Sequence, residues 1–346
     1  MDDKKTQLTI KDIAKMVGVS TATVSNALSG QRHVKEETKK KVFEIAEKYN
    51  YSPNIIARGL SKKKTGIIGI VLPDINNPFY AEVVQGIDEE AKKRGYLAVV
   101  VSTYYDDEVE INQLKKLGSM FVDGYIFVGG SCGFKKVMSA TWDLKNLVLV
   151  NRYCEETNYP SVVVNSNQAI KDAIIYLVNK GHNLIGYLGW SAPNIVIPEN
   201  KYSGYIEGLE QNGLKLDSHL VFLANQIIIN QYSYGHDTVD SHIKNKGKPE
   251  FTALICQTDI MALGAMKAIQ NNGLVIPDDV SIIGYGNISA ARFANPALST
   301  ISLPKRRMGK AGANILFNSI ERDNNKKEVI YLKAQLVKRE SVGAHT

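Results

Sequence analysis

"LTIKDIAKMVGVSTATVSNALSG", residues 8–30, carries two helical patterns separated by a glycine. In its first half Ile10, Ile13, Ala14 and Val17 recur on one helical face, and Thr9 and Asp12 stand three apart as a capping pair. Gly18 can end that helix in the left-handed conformation, Val19 can plug the corner, and Ser20 can cap a second helix. There Val24, Ala27 and Leu28 share one face, which leaves Thr21, Ala22, Ser25 and Asn26 on the other. A third pattern, "KEETKKKVFEIAEKYNY" over 35–51, turns Val42, Ile45, Ala46 and Tyr49 inward and completes a three-helix core.

Between Gly18 and Gly30 no side chain is charged, yet the surroundings are basic. The whole chain has 42 Lys and Arg against 35 Asp and Glu, a net charge of +7. Residues 1–64 hold 14 of those cations and 7 of those acids, which leaves 28 of each for residues 65–346. A basic module on a neutral body implies a polyanion, because Lys and Arg gain affinity by releasing phosphate counterions. A helix entering a DNA major groove brings small donors, acceptors and methyl groups to base edges, while basic residues around it hold phosphates. Thr21, Ala22, Ser25 and Asn26 suit the first task; Lys15, Lys35, Lys39, Lys40 and Lys41 suit the second.

At 346 residues and 44 % hydrophobic content the chain can bury two or three cores. No apolar run is long enough to span a bilayer, and "MDDKKTQLT" lacks the apolar centre of a signal peptide, so a cytoplasmic protein is expected. Cys132, Cys154 and Cys256 have no paired spacing, which indicates neither a disulfide framework nor zinc.

From residue 66 apolar strands alternate with amphipathic helices: "GIIGIVL", "YLAVVVS", "GYIFVGG", "LVLVN", "LIGYLG", "TALICQ" and "VSIIGYG" are the strand candidates. Such alternation predicts helix-covered parallel sheets. "QGIDEEAKKRG" at 85–95 and "SGYIEGLEQNG" at 203–213 both space two glycines nine apart, an internal repeat that implies two similar α/β lobes. Ligands bind such lobes where loops leave the carboxyl ends of strands. Phe79 and Tyr80 follow the first strand and can stack on a ring; Asp259 opens a helix after "TALICQT" and suits either ligand hydroxyls or a helix cap. Catalytic signatures are missing: "GYGNIS" is part of a dinucleotide fingerprint, and no nucleophile elbow or phosphate-loop lysine motif occurs. His236 and His242, beside Asp237 and Asp240, lack the spacing of a helical metal pair. No enzyme, cofactor or metal is therefore expected.

"LTIKDIAKMVGVSTATVSNALSG", "YSPNIIARGLSKKKTGIIGIVLPDINNPFYAEVVQGI", "HNLIGYLG", "TDIMALGAMKAIQNNGLVIPDDVSIIGYGN" and "PALSTISLP" together resemble the lactose repressor/galactose repressor family of bacterial transcription regulators, over essentially the whole chain. The resemblance implies an all-α helix-turn-helix headpiece at 1–51, a hinge helix and linker at 52–64, and a doubly wound α/β core of two lobes like periplasmic binding proteins. The expected lobes are 65–162 with 293–325 and 163–292 with 326–346, the chain crossing between them near 162, 292 and 325. It implies a homodimeric repressor on a near-palindromic operator, controlled by a small-molecule effector such as a sugar or related metabolite. DNA contacts would come from Thr9, Ser20, Thr21, Ala22, Thr23, Ser25 and Asn26, with Asn54, Ala57 and Leu60 in the hinge, Leu60 wedging into the minor groove. Effector contacts would come from Phe79, Tyr80, Arg152, Lys201, Asp259 and Asn287.

Three departures change the polar lining. Lys201 stands where many members carry Arg, Asn151 replaces the Asp before Arg152, and Gly286 and Asn287 follow the "IIGY" strand where acids are common. Lys is a point donor and lacks the two-pronged grip of Arg. Two alternatives remain: a solute-binding module with no DNA role, and control by a phosphorylated carrier protein docking on Lys305, Arg306, Arg307 and Lys310 of "LPKRRMGKAG".

Overall fold

The computed structural model describes residues 8–28, 34–51, 64–130, 139, 144–153, 158–190, 201–322 and 327–345. The chain forms two compact units, Met1–Gly66 and Ile67–Thr346.

In the first unit α1 (Ile10–Val17), α2 (Thr21–Leu28) and α3 (Glu36–Lys48) enclose Ile13, Ala14, Val24, Ala27, Val42 and Ala46. The Asp12 carboxylate accepts from the Thr9 N–H at 2.9 Å and the Thr9 hydroxyl at 2.6 Å, which fixes the start of α1. Gly18 takes φ +74° and donates to Ala14 O, so the chain turns within three residues. Ser20 Oγ accepts from Thr23 N at 3.1 Å and caps α2. Tyr49 differs from expectation: it is 47 % exposed, and Tyr51 packs on the core instead. The helix stops at Lys48, Asn50 adopts φ +48°, and Tyr51 N returns to Ala46 O at 2.8 Å, which swings the later ring inward. The hinge segment 52–63, with Asn54, Ala57 and Leu60, lies outside the described residues.

The second unit carries two six-stranded sheets. The first holds β1 (Ile67–Leu72), β2 (Leu97–Ser102), β3 (Gly124–Val128), β4 (Leu147–Val150), β5 (Ser161–Val164) and β11 (Val329–Leu332). Their spatial order is 11-5-4-3-1-2, all parallel. The second holds β6 (Ile185–Trp190), β7 (Val221–Ala224), β8 (Ala253–Cys256), β9 (Ser281–Gly286), β10 (Ser299–Ser302) and β12 (Gln335–Val337) in the order 12-10-9-8-6-7. Only β12 runs antiparallel, against β10. Every residue of β1, β3, β4 and β8 is buried, as parallel strands covered on both faces require.

The helices of the second unit are α4 (Pro78–Lys93), α5 (Asp107–Ser119), α6 (Ser166–Val178), α7 (Lys201–Gln211), α8 (Gln231–Lys246), α9 (Asp259–Asn271), α10 (Ser289–Phe293) and α11 (Lys305–Arg322). The repeat seen in the sequence is structural: α4 follows β1 and α7 follows β6, the corresponding strand of each sheet. In both helices the first glycine admits a neighbouring backbone. A Cβ at Gly86 would lie 2.2 Å from Arg306 O, and one at Gly204 would lie 2.6 Å from Asn167 O.

The chain leaves the first sheet after Val164, returns after Ser302 and leaves it again after Leu332. The crossings expected near 292 and 325 therefore move to 303–304 and 333–334, and the lobe boundaries move with them. "STIS" has one apolar residue and reads weakly as a strand, yet β10 pairs with β9 from Ser299↔Ile283 to Ser302↔Gly286, which keeps the chain in the second lobe. Likewise Val329–Leu332 pairs with Ser161–Val164 and holds that stretch in the first.

Candidate functional site

The first unit presents one polar helix face. Thr21 and Ala22 are exposed, Thr23, Ser25 and Asn26 are half-buried, and Val24 and Ala27 point into the core. Ser20 and Thr9 are exposed but already committed to capping bonds. Lys15, Lys35, Lys40 and Lys41 are exposed and Lys39 is half-buried; Lys41 pairs with Glu37 at 2.9 Å, and Lys39 lies 3.6 Å from Glu36. Exposed i,i+3 and i,i+4 pairs contribute little in water, so these lysines can change partner for a phosphate at little cost.

In the second unit a cleft with about 970 Å³ of space, part of it open to solvent, lies between the two sheets. Phe79, Tyr80 and Arg152 line it from the first lobe, and Lys201 and Asp259 from the second. Asn77 caps α4 by accepting from Phe79 N at 3.0 Å, which sets Phe79 and Tyr80 at the carboxyl end of β1. Their rings meet edge to face at 5.3 Å, and the Tyr80 hydroxyl lies 3.2 Å from that of Tyr105. Burial raises both phenol pKa values, so these hydroxyls stay protonated. Arg152 donates to Glu110 Oε1 at 3.0 Å; both side chains are buried, and burial pushes the Glu110 carboxyl upward despite the guanidinium beside it.

Lys201, the first residue of α7, donates to Gln257 O at 2.9 Å and stands 3.7 Å from the centre of the Tyr285 ring. Burial lowers its ammonium to about 7, opposed by the nearby Asp259 carboxylate. The Tyr285 hydroxyl bonds to Ser166 at 2.6 Å, where the chain has just crossed from the first lobe.

Asp259 is buried, and its role differs from a plain helix cap. Thr258 is the cap, accepting from Met261 N at 3.2 Å. Asp259 Oδ2 accepts from Ile288 N at 2.7 Å and Oδ1 from the Thr300 hydroxyl at 2.5 Å. Desolvation raises its pKa against those two bonds. The carboxylate thus ties the start of α9 to the loop after β9 and to β10.

Asn287 does not line the cleft, although Gly286 and Ile288 on either side do. At φ +50° its side chain turns to the crossings: Nδ2 donates to Ser302 Oγ at 3.0 Å, and Oδ1 accepts from Arg339 at 2.7 Å. Its carbonyl accepts from Lys305 at 2.8 Å, and Lys305 also pairs with Glu82 of α4 at 2.6 Å. A buried lysine of the first lobe thereby holds the backbone of the second. The rest of the basic cluster is mostly spoken for: Arg306 and Lys310 both pair with Glu89, and Arg307 is exposed.

Sequence reasoning passed over Tyr105, Trp190, Gln257 and Tyr285, which also line the cleft. Gln257 sits in "CQTD" two residues before Asp259, Tyr285 stands one residue before the end of a predicted strand and Trp190 directly follows another; the strand-end rule could have found all three. Tyr105 depends on a left-handed backbone at Tyr104 and Tyr105 that no spacing announces. Among the described residues no group of His, Cys, Asp and Glu is placed to hold a metal; His236 pairs with its neighbour Asp237 on a helix surface.

A three-helix unit with a polar recognition face, on a chain whose core is a two-lobed binding fold, defines a ligand-responsive DNA-binding regulator. Residues 9–54 match "Bacterial regulatory proteins, lacI family" and residues 174–342 match "Periplasmic binding protein-like domain". The chain is 32% identical over 338 residues to the HTH-type transcriptional repressor PurR of Mannheimia succiniciproducens, covering 96% of this chain and 98% of that one. It is also 32% identical over 334 residues to the ribose operon repressor of Haemophilus influenzae, with coverage of 96% and 98%. Its fold is that of the lac repressor dimer bound to operator and the anti-inducer ONPF, with a TM-score of 0.83 at 24% identity over 97% of this chain and 99% of that one. The chain belongs to the lacI family of bacterial regulatory proteins: it is a DNA-binding transcriptional regulator, and no member of an enzyme family. Among the described residues no helix is long and apolar enough to cross a membrane.

Proposed function

We propose that the protein is a cytoplasmic repressor that binds a near-palindromic operator as a homodimer and is controlled by a small molecule in the cleft between its lobes. The observation that carries this reading is the cleft itself: side chains of both lobes line one space, which Ser166 and Leu303 of two chain crossings border. A ligand touching both walls changes the balance between open and closed lobes by its differential affinity for them. The Lys305–Asn287 and Ser166–Tyr285 contacts bridge the segments that must adjust.

On this reading Ala22 and Asn26 read base edges, Asn bridging N6 and N7 of adenine and Ala meeting a thymine methyl. Thr9, Ser20, Thr21, Thr23 and Ser25 support them. The hinge residues Asn54, Ala57 and Leu60 fold on DNA, so that a shift between the lobes tips operator affinity. Phe79, Tyr80, Arg152 and Lys201 form the effector site together with Asp259, which acts by holding the loop at 286–288 in place. Relatives named for PurR and for a ribose operon support a metabolite-class effector. Docking of a phosphorylated carrier protein is less favoured, because Glu82 and Glu89 neutralise three of the four cations such a partner would seek. Operator selection from random duplexes, followed by release assays with a metabolite panel, tests the proposal; a chain that selects no two-fold-related site overturns it.

A further inference from the structure

We infer that the cleft takes a small molecule bearing an oxyanion, a carboxylate or a phosphoryl group, seated on Lys201, Trp190 and Gln257 of the second lobe. This rests on the cleft being the effector site and adds the ligand's charge class. It follows from a count of hydrogen-bonding capacity along that wall.

The donors outnumber the acceptors. Lys201 spends one proton on Gln257 O and stacks on Tyr285, and among the described residues it forms no ion pair. The Trp190 indole Nε1 is buried with no partner among the described residues. Gln257 accepts from Trp190 N through Oε1 at 2.7 Å, which leaves its amide NH2 over. The nearest acceptors, by contrast, already have donors: Asp259 accepts from Ile288 N and Thr300, and Gln257 O from Lys201. A desolvated ammonium whose neighbouring carboxylate already serves two other donors, and a buried indole N–H with no partner among the described residues, are both costly, and an oxyanion at this wall supplies the acceptors they lack. The other charges facing this wall do not compete for the ligand's anion. Asp259 is turned inward to its two donors, and Arg152 across the cleft is paired with Glu110. The phenols Tyr80 and Tyr105 present neutral hydroxyls.

The test uses the full chain with Trp142→Phe, which leaves Trp190 as the single tryptophan reporter. Matched probes are titrated: acetate against acetamide, and gluconate and glucose 6-phosphate against glucose. The expected result is a saturable change in Trp190 emission with at least one anion and with neither neutral counterpart; comparing gluconate with glucose 6-phosphate separates carboxylate from phosphoryl preference. Because burial lowers the Lys201 ammonium to about 7, affinity for acetate and gluconate falls as pH rises above that value. Lys201→Arg keeps its charge and flattens the profile, whereas Lys201→Met abolishes the preference for anions. Thermal unfolding of both variants in the absence of probe, at or above the wild-type midpoint, establishes that they fold. Neutral probes binding as tightly as anions overturn the inference and leave the cleft reading standing. Silence of Trp190 toward every probe, charged or neutral, overturns both.

Discussion

Asp259→Asn removes the charge from a carboxylate that two donors share. Ile288 N–H reaches Oδ2 at 2.7 Å and the Thr300 hydroxyl reaches Oδ1 at 2.5 Å, while Thr300 Oγ1 itself accepts from Asn287 N at 3.2 Å. The Thr300 proton is thereby committed to Asp259. An amide offers an accepting oxygen to one partner and a donating NH2 to the other, so one of the two charge-assisted bonds is lost and at best becomes a neutral amide-to-hydroxyl bond. Its better orientation keeps oxygen on Ile288 and faces NH2 toward Thr300, leaving the threonine proton unused. Losing one charge-assisted bond costs about 1.5–3 kcal/mol, and relief from burying a charge offsets part of it. A net loss of roughly 1–3 kcal/mol follows, or about 2–4 °C in Tm per kcal/mol for a domain of this size. Gly286 and Ile288 line the cleft, and their loop loosens with the lost bond. Thermal unfolding of Asp259→Asn, Thr300→Val and the double variant measures the coupling, expected at roughly 1 kcal/mol or more. Additive single effects would refute the shared bond, and effector affinity lost without any change in Tm would make Asp259 a direct ligand contact instead.

Asn26→Ala should weaken cognate operator binding by about 1–3 kcal/mol with little effect on non-specific DNA, and the same base preferences before and after substitution would exclude a reading role. Leu60→Ala should lower operator affinity and bending while dimerisation and effector binding persist; full bending by the variant, seen by gel mobility, would dismiss the wedge. Gly86→Ala drives a methyl into Arg306 O and should cost about 1–3 kcal/mol of core stability, so an unshifted denaturation midpoint would contradict the close α4–α11 approach. Lys201 sits near 7 in the folded chain against about 10.4 unfolded, so the unfolded state binds more protons between those values. Effector-free stability should accordingly gain from this residue as pH rises from about 7 toward 10, a slope that Lys201→Met should reduce.

Much of the fold was legible because it depends on periodicity, which side-chain chemistry writes into the chain. The spacing of Ile13, Ala14, Val24, Ala27, Val42 and Ala46 marked the three-helix core, and all six are buried. The apolar runs marked seven of the twelve described strands, and paired glycines marked two similar lobes. Edge and crossing strands such as "STIS" were not legible. Their membership depends on which neighbour supplies hydrogen bonds, and a short polar segment carries no record of that.

The sequence by itself determined what each segment could become: helix, turn or strand, and therefore a basic headpiece before a two-lobed core whose strand ends face a cleft. Tertiary structure alone decided where single side chains point. Asn50 at positive φ exchanges Tyr49 for Tyr51 in the headpiece core, and Asn287 at positive φ turns from the cleft to the crossings. Asp259 has the residue type and position of a ligand contact, yet its oxygens are taken by donors 29 and 41 residues away in sequence. A local pattern fixes backbone class because its energetics are nearest-neighbour; the pairing of a buried polar atom is settled among distant segments that meet only once the chain has folded.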